Sequence, residues 1–307
     1  MRLKYIIKKV LIAIITLWII ATVSFFMLKF LPGTPFSSMQ MVGLEMQERL
    51  MNYYGLDKPV FEQYLIFLRN TAQGNFGMSY KYLGQSVNDI IKKSFPISLQ
   101  LGLQAYVLSL ISGIILGIIS AKKRGSNIDS SLMIVSALLA ALPVFVLSSI
   151  LQYVFGVKFK LLPLTGWGTP THMILPTISL VFVLFSSKLL TTRTLALEVL
   201  SEEYIKTAKA KGLSKYRIFF SYELKNILVP ILSTIGMEIT SAMMGSFVVE
   251  QIFNIRGIGN YFVLSLQNND YSLILGITMF FATILVLLNL CIDIIISFID
   301  PRIKIYN

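Results

Sequence analysis

Residues 202–230 read EEYIKTAKAKGLSKYRIFFSYELKNILVP, a charged stretch that interrupts the chain between two long apolar segments. The flanking segments, Met173–Leu190 and Ile227–Val249, approach the roughly 20 apolar residues that a helix needs to cross a bilayer. A membrane protein seldom separates its spans with so patterned a polar helix unless another molecule docks there. This stretch, called the charged insert below, therefore predicts a membrane-embedded fold with a docking surface.

The composition of the whole chain is typical of a protein that crosses a membrane several times. Of its 307 residues, 55% are hydrophobic and 14% are charged, against about 25% charged in ordinary soluble domains. Mean hydropathy is +0.73, and the apolar residues form long blocks. The net charge of +12 does not indicate nucleic-acid binding, because the basic residues stand between the apolar blocks and not on one soluble face.

Six apolar blocks are long enough to be membrane spans. We expect helices, because lipid offers backbone groups no partners and the blocks lack the alternation of barrel strands. The first block follows a basic N-terminus, but its uncharged run of about 19 residues exceeds the core of a signal peptide, so we expect it to be retained. Pro143 and Pro176 are predicted to kink or begin their helices. The predicted spans are Val10–Leu28, Ile97–Ala121, Leu132–Phe155, Met173–Leu190, Ile227–Val249 and Tyr271–Phe298.

The distribution of Lys and Arg predicts that both termini are cytoplasmic. With the N-terminus inside, most of the 27 basic residues fall in cytoplasmic segments, including Lys188, Arg193 and those of the charged insert. The expected organisation has four parts. They are residues 1–30, the first span with its cytoplasmic N-terminus; 31–95, an extracellular segment; 96–299, a domain of five transmembrane helices; and 300–307, a cytoplasmic tail.

The extracellular segment is too polar to span a membrane. Its apolar residues predict two short amphipathic helices, one on each side of Asp57–Pro59. This helix pair either lies on the membrane surface, caps the bundle of spans, or contacts the substrate directly.

Within the charged insert, the residue order predicts a short helix. Ser201 is a suitable N-cap, and Glu202 and Glu203 suit the positive end of the helix dipole. Gly212 suits the position that ends a helix. Ala208 and Ala210 keep one side slim, so that another surface can approach closely. The alternative is a solvated basic loop beside anionic lipid.

A few polar residues fall inside the predicted spans, where ionisable groups are costly and face a cavity or a partner. Glu238 and Ser241 share one helix face. Glu238 either lines a translocation path, pairs with a neighbouring helix or is protonated. Gln100 and Gln104, one turn apart, either join helices or line the same path. Asp293, near the inner end of the last span, is expected to be structural, near Arg302 or the lipid boundary.

The sequence predicts neither catalytic nor metal-binding residues. One Cys and one His argue against a Cys/His metal site. Paired Asp, Ser with His, or H-E-x-x-H at helical spacing would be needed for an intramembrane enzyme, and none is present. No G-x-x-x-x-G-K-[ST] phosphate loop is present either, so any ATP-binding part must be a separate chain.

Short motifs are spread in order along almost the whole chain. They are LPGTP (31–35), YGLDKP (54–59) with QY (63–64), GNFGMS (74–79), EYIKTAKAKG (203–212), VEQIF (249–253), GIG (257–259), DY (270–271) and DPR (300–302). In this order they are similar to motifs of the membrane permeases of oligopeptide/dipeptide/nickel-type ABC importers. The chain therefore resembles the permease subunit of a type I importer. It departs from that pattern at Tyr222, where His is common, and at Arg256, where Pro is usual.

This resemblance implies that residues of about 200–226 form a coupling loop whose helix sits in a groove of an ATPase subunit. Closure of two ATPases on ATP would move that helix and switch the spans between inward-open and outward-open states. By resemblance, the docking residues are Glu203, Tyr204, Ala208, Lys211 and Gly212.

The implied partners are a second permease, similar but different, two ATP-binding subunits and an extracellular solute-binding protein, all at a bacterial cytoplasmic membrane. No cofactor is expected in this chain, because ATP and Mg²⁺ would be held by the ATPase subunits. The implied cargo is a peptide or peptide-like solute, with nickel and metal–chelator complexes as alternatives. An ion-driven secondary transporter is the competing function, but it would show inverted repeats, which the sequence lacks.

Overall fold

The computed structural model describes residues 2–30, 55, 57–82 and 84–299, and this part of the chain is helical, as predicted. The predicted helix before Asp57, the LPGTP and DPR motifs, the tail 300–307 and the side chain of Asp293 lie outside the described residues. Extended pairing in the described part is a single bridge between Met78 and Ser86. Its α-helices are α1 (Arg2–Phe30), α2 (Val60–Ala72), α3 (Val87–Lys122), α4 (Asn127–Ala141), α5 (Val144–Leu151), α6 (Pro170–Ser201), α7 (Glu203–Ala210), α8 (Lys215–Ile218), α9 (Leu224–Ser233), α10 (Ile235–Ile252), α11 (Ile258–Gln267) and α12 (Tyr271–Ile299).

By length and apolar composition, the described part has four helices that can cross a membrane, or five if one bent pair is a single span. The four are Ile6–Phe30, Val87–Lys122, Pro170–Ser201 and Tyr271–Cys291. The bent pair is Asn127–Ala141 with Val144–Lys158, which turn by 103° at their junction.

Two details at prolines and one at Thr234 modify the predicted spans. Pro143 is the N-cap residue of α5, so the predicted kink is confirmed. Pro176 lies inside α6, which instead begins at Pro170. The predicted span Ile227–Val249 is divided between α9 and α10 at Thr234, and neither helix is among the spans above. The count of six spans therefore stays a prediction.

One compact unit contains the described residues up to Ser98 and from Arg256 onward. In this unit α1 and α11 both pack against α12, and α2 packs on α1. Tyr64 of α2 shares a hydrogen bond of 2.7 Å with Thr22, and its ring centroid lies 5.6 Å from that of Phe25. The second of the two predicted amphipathic helices is thus present and packs against α1.

A buried carboxylate in the same unit joins two of the sequence motifs. Asp270 is fully buried. Its carboxylate accepts hydrogen bonds from the Ser79 hydroxyl at 2.5 Å and from the Tyr80 and Lys81 amides, each at 3.1 Å. It also accepts from the Leu273 amide at 3.2 Å, in the first turn of α12. These hydrogen bonds therefore join the GNFGMS and DY motifs at the start of α12.

The other compact unit is Leu99–Ile255, and α6 is its central helix. Helix α6 packs against α4, α5, α9 and α10. It also approaches α3 closely, because Gly113 and Gly117 of α3 lack side chains. A methyl group on Gly117 would lie 2.7 Å from Cβ of Thr192, and one on Gly113 would overlap Lys188. This Gly-x-x-x-Gly spacing is typical of closely packed membrane helices.

Candidate functional site

The charged insert contains the predicted short helix, α7, which begins one residue later than a Ser201 cap would place it. Glu202 is the N-cap residue and its side chain makes no capping hydrogen bond. The Ser201 hydroxyl donates instead to the Glu198 carbonyl oxygen at 2.7 Å, so the cap prediction for Ser201 is wrong. Glu203 lies in the first turn, where the helix dipole favours a carboxylate. It pairs with Lys206 at 2.7 Å on the exposed surface.

Gly212 ends α7 as predicted. Its φ of +71° is in the left-handed region, which costs a residue with a Cβ about 1–2 kcal/mol. The Gly212 amide donates to the Lys209 carbonyl at 3.0 Å, and the Leu213 amide donates to the Ala208 carbonyl at 3.3 Å. These two bonds are those of a Schellman motif, which satisfies the last carbonyls of the helix.

One face of α7 is buried within the insert itself. Ile205 is fully buried and Ala208 is 3% exposed. Both pack with Ile218, Leu213 and Tyr222. Ala208 therefore does not present the slim, partner-facing surface expected of it; its small side chain lets the insert fold tightly on itself.

The opposite face of α7 is open. Glu203, Tyr204, Lys211 and Gly212 are exposed, so four of the five predicted docking residues lie on the surface. Tyr204 is also fixed in place, because its hydroxyl oxygen accepts a hydrogen bond of 3.0 Å from the side chain of Asn226 on α9. The insert thus offers a preorganised surface of charge and one aromatic ring.

An ion pair fastens the insert to the end of α3. The Lys122 ammonium lies 2.8 Å from the Glu223 carboxylate and 4.2 Å from the centroid of the Phe219 ring. Phe219–Glu223 is a π-helical turn between α8 and α9, and such turns are frequent at functional sites. This pair was not predicted from the sequence, since the two residues are far apart in the chain.

A second ion pair joins α4 and α6. Arg193 donates two hydrogen bonds to the Asp129 carboxylate, at 2.8 and 2.9 Å. Ser120 of α3 and the Gly125 amide also donate to this carboxylate. Arg193, which was counted among the basic residues of a cytoplasmic segment, thus lies within α6 and is bound to α4.

Glu238 is paired with neighbouring helices, which was one of the alternatives left open by the sequence. Its carboxylate contacts the Lys188 ammonium of α6 and accepts a hydrogen bond of 2.9 Å from the Tyr106 hydroxyl of α3. Lys188 was expected in a cytoplasmic segment, but it is buried within α6 beside Gly113. The Glu238 side chain keeps 29% of its surface exposed.

The two glutamines predicted to line the path lie beside Met173 of α6. The side-chain amides of Gln100 and Gln104 approach the Met173 sulfur at 3.8 and 3.9 Å. Ser241 is exposed on α10. The structure therefore brings the two glutamines together at Met173, whereas Glu238 has its contacts with Lys188 and Tyr106. Among the described residues, no three His, Cys, Asp or Glu side chains are grouped as metal ligands.

Comparison with known protein families covers nearly the whole chain. The family described as "Binding-protein-dependent transport system inner membrane component" matches residues 113–305. The N-terminal family of the same transport-system membrane components matches residues 2–102.

Curated relatives match along their full lengths. The chain is 38% identical to the dipeptide transport system permease protein of Bacillus subtilis, with 99% of each chain covered. It is also 38% identical to the oligopeptide transport system permease protein of Haemophilus influenzae and 37% identical to the dipeptide transport system permease protein of Lactococcus lactis. Each of these two alignments covers 98% of this chain and 99% of the relative. With its apolar helices and a family match over most of its length, this chain belongs to the inner membrane components of bacterial binding-protein-dependent transport systems.

Proposed function

We propose that this chain is the membrane-spanning permease subunit of an ATP-driven importer of peptides or peptide-like solutes. The observation that carries the proposal is the 38% identity to a dipeptide permease over 99% of both chains. Nickel and metal–chelator complexes are the alternative cargoes. The chain supplies the pathway, and separate ATPase subunits with bound ATP and Mg²⁺ supply the energy.

In the proposed arrangement, six spans cross the membrane and both termini are cytoplasmic. Residues 31–95 face outward toward a solute-binding protein, and the charged insert faces inward toward two ATPase subunits. A second, different permease completes the pathway. The clustering of basic residues in the charged insert supports this orientation.

The proposed docking surface is the exposed face of α7, with Glu203, Tyr204 and Lys211 in contact with an ATPase. Gly212 sets the end of the helix, and Ala208 supports it from inside. Because only Glu202 separates α6 from α7, a displacement of α7 passes directly into the central helix of its unit. The exposed charge on this face is the feature that a complementary groove would recognise.

For the pathway, we propose that Gln100, Gln104 and Ser241 contribute its polar surface. Glu238 would contribute through the part of its side chain that stays exposed, while Lys188 neutralises its charge. Because its charge is neutralised, the Glu238 carboxylate would not bind a cationic cargo tightly. Weak binding suits a pathway that must release its cargo.

Co-purification of ATPase subunits tests the proposed function. The complex is isolated from native membranes through this chain, as wild type, as the double variant Tyr204→Ala/Lys211→Glu, and as Lys123→Glu. Lys123 is exposed in the turn after α3, outside the charged insert, and provides the matched charge change. We expect the ATPase to be lost only from the double variant, and peptide uptake by cells to fall with it.

Mass spectrometry of the wild-type preparation identifies the solute-binding protein and narrows the cargo. Absence of any ATPase from the wild-type preparation would overturn the proposal and favour ion-driven transport.

A further inference from the structure

An open groove of about 600 Å³ runs along the end of α3 in the unit Leu99–Ile255. Its floor is apolar, made by four isoleucines between positions 114 and 119 and by Leu224 of α9. Ile115 and Ile119 are among the exposed residues of α3. The apolar stripe leads to two ammonium groups at its end, those of Lys122 and Lys215. The groove thus combines a long apolar channel with a basic end.

Exposed aromatic rings beside the groove indicate which part of a bilayer it would face. Tyr216 is 81% exposed and Phe220 is 62% exposed, although both belong to a helical segment with Lys215 and Arg217. Aromatic residues next to basic ones are typical of helices that lie in the membrane interface. This pattern favours a position of the segment Lys215–Phe220 at the level of lipid headgroups, with the isoleucine stripe directed toward the acyl chains.

The basic end of the groove has an excess of positive charge, which suits an anion. Lys122 is paired with Glu223. Lys215 makes no ion pair with any residue in the described part of the chain. The turn after α3 adds two more exposed cations, Lys123 and Arg124. The polar end of an occupant of this groove therefore meets an excess of positive charge.

We propose that this groove binds one anionic phospholipid, with its phosphate at Lys215 and one acyl chain along the isoleucines of α3. Basic pockets next to membrane helices are suited to anionic headgroups, and each Lys near an anionic surface contributes a measurable attraction. The lipid would pack against Phe219, in the π-helical turn between α8 and α9. The site goes beyond the proposed function and requires only that α3 spans the membrane.

Photo-crosslinking in defined vesicles tests this site. The chain, purified with its native partners, is reconstituted into vesicles of phosphatidylglycerol and phosphatidylcholine in equal amounts. Either lipid carries a photoreactive group in its acyl chain, and labelled peptides are mapped. In the wild type we expect preferential labelling of residues 114–119 by phosphatidylglycerol. The preference should fall about fivefold in Lys215→Gln and stay unchanged in the matched control Lys225→Gln.

A second variant tests the apolar part of the site. Ile115→Trp fills the groove from an exposed position and should reduce labelling by both lipids, without the change in preference seen for Lys215→Gln. Equal lipid preference in Lys215→Gln and Lys225→Gln would overturn the proposal. So would crosslinking of a photoreactive residue at position 115 to a second protein chain in native membranes, because the groove would then be a subunit interface. ATPase co-purification in the same preparations separates failure of this site from failure of the proposed function.

Discussion

Replacing Lys122 by Met tests whether the charged insert is anchored to α3 by its ion pair. The change keeps the apolar stem but leaves the Glu223 carboxylate, with 6% of its side chain exposed, without its counter-charge. Breaking a fully buried pair in this way costs about 3–5 kcal/mol. The Lys122 side chain is 41% exposed, so water reduces the loss to about 2 kcal/mol.

A loss of about 2 kcal/mol shifts the equilibrium between anchored and released insert about 30-fold. We expect hydrogen exchange of the amides in residues 203–223 to accelerate by up to that factor, because exchange reports local opening. The measurement uses detergent free of anionic lipid, so that lipid binding does not contribute. In proteoliposomes of the proposed complex, the ATP hydrolysed per peptide transported should rise, since the proposed ATPase would still dock but would drive the spans less effectively.

Lys123→Met is the matched control, because Lys123 is the next residue in the chain and is also exposed. Glu223→Gln should cost less than Lys122→Met, since it leaves no buried unpaired charge. The double variant Lys122→Met/Glu223→Gln should recover part of the lost protection, which is the sign of direct coupling in a double-mutant cycle. Equal exchange in Lys122→Met and Lys123→Met would refute the anchoring role.

Three further changes test other parts of the structure. Gly212→Ala should destabilise α7 by about 1 kcal/mol, because its φ of +71° disfavours a Cβ; faster hydrogen exchange in α7 checks this. Asp129→Asn should lower the thermal stability of the protein in detergent, because Arg193 loses a carboxylate that accepts two of its hydrogen bonds. The expected loss of folding free energy is about 2 kcal/mol or more, and Glu198→Gln, at an exposed position, is the control. Asp270→Ala should free the start of α12 by removing an acceptor of four hydrogen bonds, at a cost of about 1–3 kcal/mol for each donor left unsatisfied; proteolysis in the loop at Ser79 reports it.

The features that sequence predicted well are local ones. Gly212 ends α7 and Pro143 separates α4 from α5, because each acts through its own backbone conformation. The helical character of the long apolar blocks follows from lipid offering no backbone partners. The short helix of the charged insert was also predicted, since the acidic residues at its start and the glycine at its end are local signals.

The contacts that sequence could not predict join distant residues. Lys188 was expected in a cytoplasmic segment, yet it is buried beside Gly113 and pairs with Glu238. The sequence around Lys188 does not indicate that its partner is Glu238, and the sequence around Glu238 does not indicate Lys188. Ala208 shows a related limit, because a small residue in an amphipathic helix fits a partner-facing surface and an internal contact equally well. Burial decides between them, and burial depends on how residues 213–222 fold back.

Residues 202–223 of the charged insert are held to the rest of their unit at three places, and these attachments determine how the proposed docking face would move the spans. This segment continues from α6 through Glu202, it meets α9 where Asn226 binds Tyr204, and it meets α3 where Lys122 binds Glu223. A force applied at the exposed face of α7 therefore acts on three helices together. A single attachment would let the insert swing about one point and dissipate the displacement. Three attachments on different helices make residues 202–223 move as one body with these helices. In the proposed complex, loss of the Lys122 contact should therefore lower the transport yield per ATP while binding of the proposed ATPase persists.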